Sequence, residues 1–349
     1  MAFGISLLSL FTLFALSILS FAYSKAQMVP AMFIFGDSVV DVGNNNYLPC
    51  VARADFPNNG IDFPTKKPTG RFSNGKNAAD LLAEKLNLPS SPPYLSLLLG
   101  KNDSSFLTGA NFASGGSGIL NGTGRAFGPL LPLTKQVAYY LSVYEHLVHK
   151  LGSNGAKKRL SKSLFVIVTG NNDLSSYSRD SDLRKRNTPQ QYSDSMLLVL
   201  KGQIKRLHIF GARKFVVTGV GSLGCSPSQR SQNEGERCDE SLNSQCVSYN
   251  KGLKSMLQEL KSKKLMDIHY SYFDTRRFTE VRAACCGLGK LNAEFPCLPI
   301  STVCSNRSNH VFWDGSHPTE ATDRVLVDAI FDDPSHYTFP MNLRQLVAV

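Results

Sequence analysis

Two spacings of apolar residues alternate along this chain, and they predict different elements. Residues 31–35 form an unbroken apolar run with the length of a buried strand, the runs 164–168 and 215–217 have the same character, and 268–273 is predicted as a later strand. Between them the period lengthens to that of a helix. Ala78, Leu81, Leu82 and Leu86 share one face of a helix predicted over 75–86, and Met196, Leu197, Leu200, Ile204 and Leu207 one over 190–210. Further helices are predicted over 241–260 and 319–331, the last behind Pro318, a residue favoured at a helix's first position. Apolar strands alternating with amphipathic helices predict an α/β fold, three layers (α/β/α) around a central, mostly parallel sheet.

The totals fit that picture. With 349 residues, 42% hydrophobic and 19% charged, the chain is long enough for one large core and too apolar for disorder. The stretch 5–22 is almost wholly apolar and is followed by Ser24-Lys25-Ala26, a small-x-small pattern. It reads as a signal peptide over 1–26 rather than a membrane anchor, leaving 27–349 as one domain of a secreted protein with no transmembrane span. Eight cysteines without any Cys-x-x-Cys pair suit four disulfides better than a zinc site. Adjacent Cys285 and Cys286 must then reach different partners. Acceptor sequons at Asn102, Asn121 and Asn306 agree with an extracellular glycoprotein. The net charge of +11, with runs at Lys157-Lys158-Arg159 and Arg184-Lys185-Arg186, allows association with acidic cell-wall polysaccharide. No aromatic residues interleave with those charges, so nucleic acid is not an expected partner.

The chemistry begins where the first strand ends. Gly36-Asp37-Ser38 places a serine at a strand's carboxyl end, where open α/β sheets bind ligands. A serine hydroxyl needs a base to remove its proton, usually a histidine fixed by a carboxylate. Asp314 and His317 supply that pair on one turn just before the 319–331 helix. The chain contains no Gly-x-Ser-x-Gly, which excludes the nucleophile elbow of the α/β-hydrolases. Gly115-Gly116-Ser117-Gly118 lacks the lysine of a phosphate-binding loop. Asp41 and Asp173 read as hydrogen-bonding turn residues. The Gly, Asn and Ser of 44–46 and 114–118 predict a polar, open cleft suited to short acyl groups.

Four segments in order resemble the plant GDSL esterase/lipases of the SGNH hydrolase superfamily. They are 33–45 around Gly36-Asp37-Ser38, 111–118 with its glycines, Gly170-Asn171-Asn172-Asp173, and 314–317. Intervening 68–75, 211–215 and 284–287 are also similar to the plant members, so the likeness spans nearly the whole mature chain. The resemblance implies a flavodoxin-like sheet and a triad of Ser38, His317 and Asp314. It also implies an oxyanion hole of the Ser38 N–H, the Gly116 N–H (adjacent Gly115 also fits) and the Asn172 amide. It implies hydrolysis of small-molecule or lipid esters with neither metal nor organic cofactor. An acyltransferase using the same triad, and an inactive lipid- or carbohydrate-binding protein of this fold, are the alternatives.

Overall fold

The computed structural model describes residues 26–99, 106–274, 282–333 and 336–349. The expected leader up to Lys25 and the sequon at Asn102 lie outside the described residues.

Five strands, β1 (Met32–Gly36), β2 (Gly109–Asn111), β3 (Leu164–Val168), β4 (Lys214–Thr218) and β5 (His269–Phe273), pair in parallel. Their order, β2-β1-β3-β4-β5, is that of flavodoxin-like sheets. A small antiparallel pair, β6 (Cys286–Gly287) and β7 (Thr302–Val303), stands apart, and β8 (Thr338–Phe339) closes the main sheet antiparallel to β5. The strands are buried on both faces because successive side chains point to opposite sides. Phe33, Phe35, Phe165 and Ile167 enter one hydrophobic layer, whereas Met32, Ile34, Leu164 and Val166 enter the other. Helices α1 (Ala78–Lys85), α6 (Glu320–Asp332) and α7 (Leu343–Ala348) cover the second layer. The first is covered by α2 (Leu133–Lys162), α3 (Asn171–Arg179), α4 (Pro189–Ile209) and α5 (Glu240–Glu259).

Local signals set the helix starts. Asn77 and Asp80 form a capping box at α1, and Thr188 and Gln191 form one at α4 with Pro189 inside the first turn. Thr319, not Pro318, begins α6: its side chain accepts from the Thr322 N–H, which leaves the proline outside the helix. The period missed α2, whose 30 residues are broken by Gly152 at φ 69°, and the three-residue β2, too short to show a pattern.

Three disulfides form: Cys225–Cys238, Cys285–Cys304 and Cys286–Cys297. The two adjacent cysteines do take separate partners. The expectation of four bridges fails, because Cys50 and Cys246 remain thiols. Cys246 is buried on the core face of α5 and Cys50 in the loop after β1, each filling space as a small apolar group. Among the described residues no helix is long and apolar enough to cross a membrane.

Candidate active site

The sheet delivers the serine. Gly36 ends β1 against β3 so closely that a Cβ there would lie 2.2 Å from the Val168 carbonyl oxygen. Buried Gln136 of α2 grips both sides of this peptide, accepting from the Gly36 N–H at 2.8 Å and donating to its carbonyl at 2.8 Å. Asp37 then bonds through its N–H to Val168 (3.1 Å), while its carboxylate accepts from the Val39 N–H (3.1 Å) and the Asn171 amide (3.4 Å). Ser38 emerges from this frame with only 8% of its surface exposed.

The histidine arrives from a different kind of structure. Cys285 and Cys286 donate their N–H groups to the carbonyls of Phe312 and Trp313, at 3.0 and 2.6 Å. Trp313 is fully buried, bonds its indole N–H to Asn59 (3.1 Å) and its backbone N–H to the His317 carbonyl (2.7 Å). That closes a tight turn over Asp314 to His317. Asp314 accepts from the Ser316 and His317 N–H groups, both at 2.9 Å, and from His317 Nδ1 at 2.7–2.8 Å. A carboxylate can only accept, so Nδ1 carries the proton and Nε2 is left as the acceptor. It lies 2.8 Å from Ser38 Oγ.

A third group of residues surrounds the space beside Ser38. Asn172 follows β3, the strand beside β1, and donates to the Ser117 carbonyl at 2.9 Å. Gly115 donates its N–H to Asp41 Oδ2 at 2.9 Å, whereas the N–H groups of Ser38 and Gly116 donate to nothing among the described residues. Of the two glycines that fit by sequence, Gly116 is thus the one with a donor to offer. It also has φ +77°, a conformation glycine adopts readily. Gly115 is needed for space instead, since its Cβ would meet the Phe72 ring at 2.5 Å. Two buried carboxylates hold this loop from either side. Asp41 takes the N–H groups of Gly43, Asn44 and Gly115, and Asp173 those of Ile119 and Leu120 with the Thr123 hydroxyl.

Comparison with known proteins gives the family. A family model described as GDSL-like Lipase/Acylhydrolase matches residues 32–330. The chain belongs to this GDSL family of ester hydrolases. The Arabidopsis thaliana protein named GDSL esterase/lipase At5g55050 is 48% identical, over 94% of this chain and 92% of its own length. GDSL esterase/lipase At3g50400 and GDSL esterase/lipase At4g16230 of the same plant are 39% and 37% identical. Each matches over 92% of this chain and 91% of its own length.

The charges of this GDSL hydrolase shift one another. Burial pulls the His317 imidazolium down, but the Asp314 charge and hydrogen bond, aided by Asp37, leave its pKa above the ordinary 6.5. Asp314 is raised by burial and lowered further by His317 and the two N–H donors, ending below the usual carboxylate range. Asp37 and Asp41 are pushed up to about 6 by burial, which their backbone donors only partly offset. Cys285, Cys304 and His310 bring ligand-type atoms within 4.8 Å of one another, but the two sulfurs are bonded together.

Sequence reasoning passed over several residues here. Gln136 lies on α2, which the apolar period did not reveal, Phe72 packs tilted against His317 with ring centroids 5.0 Å apart, and Asp37 adds its charge to that of Asp314 beside the histidine. The polar open cleft is a correction. Asn44, Asn45, Ser114 and Ser117 are buried, and they knit the turn after β1 to the glycine loop. Side chains aligned on Gly116 are instead apolar: its Cβ direction meets Phe127, Leu130 and Ala52.

Proposed function

We propose that the chain is a secreted serine esterase working through an acyl-enzyme. Ser38 Oγ attacks the ester carbonyl as its proton passes to His317 Nε2. Asp314 holds the ring and stabilises the imidazolium. The negative carbonyl oxygen is received by the N–H groups of Ser38 and Gly116 and by the Asn172 amide. As the C–O bond to the alcohol breaks, His317 returns the proton to the leaving oxygen. Water then repeats the sequence on the acyl group and frees Ser38.

The observation that carries this reading is the His317 ring, bonded to Asp314 through one nitrogen and to Ser38 through the other. Donors aimed at the oxyanion are worth the most when preorganised, and two unengaged N–H groups beside Ser38 suit that role. Three disulfides and the exposure of Asn121 and Asn306 support an oxidising, extracellular setting and a cleaved leader over 1–26. A fluorophosphonate should label the wild-type protein at Ser38 and leave Ser38→Ala unlabelled. Labelling that persists in Ser38→Ala would move the nucleophile elsewhere, and no labelling of either would favour a binding protein. Product analysis with an added alcohol separates hydrolysis from acyl transfer.

A further inference from the structure

The end of the sheet opposite the triad carries a second surface. A cavity of about 370 Å³ opens there between the last turns of α2 and the turn entering β4, lined by Lys157, Lys158, Ser161, Ile209, Gly211 and Arg213. Its basic character continues beyond the rim. Lys162 lies close enough to Lys214 to depress its pKa further, after burial. Lys261 and Lys214 do the same to His269, again after burial. The side-chain ammonium groups of Lys157, Lys158 and Lys162 form no ion pair or hydrogen bond among the described residues. Two acids lie among these groups: Asp267 is already shared between Arg213 (2.6 Å) and His208 (2.7 Å), and Glu259 at the end of α5 pairs with Lys201 at 2.7 Å. Like charges placed this closely repel, so an anion that sits among them relieves a cost the free protein bears.

We infer that this face binds a linear polyanion, specifically an acidic polysaccharide carrying a carboxylate on successive sugars. The solvent-accessible cations run from Lys157, Lys158 and Lys162 on α2 past Arg213, just before β4, to Lys261 beyond the end of α5, which suits an extended chain better than a single small anion. No aromatic side chain lines the cavity to stack on bases. Position also argues against a bilayer. Lys214 and His269 are the first residues of their strands, whereas Ser38 follows the last residue of β1. A five-residue strand is roughly 16 Å long, so the two surfaces face opposite ways. Docking this end on a membrane would turn the triad away from the lipid. Anchoring it on a polysaccharide leaves the triad facing outward, open to esters.

The test uses the full mature protein and immobilised polygalacturonate at low ionic strength. Its fully methyl-esterified form and phosphatidylserine-containing vesicles serve as comparisons. Polygalacturonate should retain the wild type and release it as salt rises. The triple variant K157Q/K158Q/K162Q should bind at least tenfold more weakly, while its turnover of p-nitrophenyl acetate stays at the wild-type level. Unchanged turnover shows the fold is intact and keeps this result separate from the assignment of the triad. The inference is overturned if the triple variant binds as well as the wild type, if the esterified polymer binds equally, or if the vesicles bind more tightly than the polyuronate.

Discussion

Ser38 and His317 are held 2.8 Å apart by two unlike supports. The serine stands on the end of a buried parallel strand, with Gln136, Val168 and Asn171 fixing the peptides around it. The histidine stands on a turn outside the sheet, tied down by Trp313 and by backbone bonds to the adjacent Cys285 and Cys286, each bridged to a different partner. One half of the machinery depends on the hydrophobic core that folds the molecule. The other depends on covalent staples in a small separate cluster around Trp313. The two should therefore fail separately, and each can be broken without the other.

The largest effect is expected on the sheet side. Ser38→Ala should cut kcat by a factor approaching ~10⁶, the loss seen when a triad nucleophile is removed from a serine hydrolase. The melting temperature should hardly move, because one hydroxyl is lost from a frame that other residues maintain. Asn172→Ala should lower kcat by ~10²–10³ with little change in KM, the pattern of a donor that acts only on the transition state. A KM effect alone would take Asn172 out of the oxyanion hole.

The loop side should give a smaller loss with a different signature. Cys286→Ser/Cys297→Ser removes a bridge closing a separation of 11 residues, beside the Trp313 backbone bond. Such bridges contribute on the order of 2–4 kcal/mol, here to the stability of the turn more than of the sheet. Turnover should fall about tenfold to a hundredfold while far-UV circular dichroism keeps the native α/β spectrum. Loss of both together would mean that the two supports are one cooperative unit.

The same contrast explains what could be read from the sequence. The sheet side was legible because a strand buried on both faces leaves a continuous apolar run, and β3 begins and ends where its run does. The residues that complete the site come from distant positions, and their pairing has no local signature. Gln136 is 100 positions from Gly36, and Asp41 is 74 from Gly115. The runs of Asn and Ser looked like a wet cleft because composition does not reveal burial. Asn44 and Asn45 instead satisfy buried carbonyls, the requirement that lets polar groups enter a core. The cysteine count misled for a related reason: an even number permits full pairing but does not bring Cys50 near Cys246.

The charge linking the two sides predicts a pH dependence. In the proposed mechanism His317 must be neutral to take the serine proton, and Asp314 and Asp37 favour its charged form more than burial opposes it. The midpoint of the acid limb of kcat/KM should therefore lie above 6.5, with about a tenfold loss per pH unit below it. Asp314→Asn should move that midpoint down while lowering the plateau. A midpoint below 6.5 in the wild type would mean that burial outweighs the carboxylates.

The smallest expected effect concerns substrate size: Asn44 and Asn45, expected to line a polar cleft, are buried, so faster turnover with short acyl groups loses that support. Beside Gly116 stand Phe127, 43% exposed, and Leu130, with Ala52 behind them. An acyl chain whose carbonyl oxygen points at the Gly116 N–H would run along this apolar wall. Full burial of a methylene is worth ~0.8 kcal/mol, and a half-open wall recovers only part of that. Across p-nitrophenyl esters held below their micelle concentrations, kcat/KM should rise a few-fold from acetate to medium chains and then level off. Phe127→Ala should flatten the rise while leaving acetate turnover within about twofold. A steady climb through long chains would require a deeper apolar channel than this wall provides. A profile that Phe127→Ala leaves unchanged would place the acyl chain on the other side of Ser38, towards Phe72.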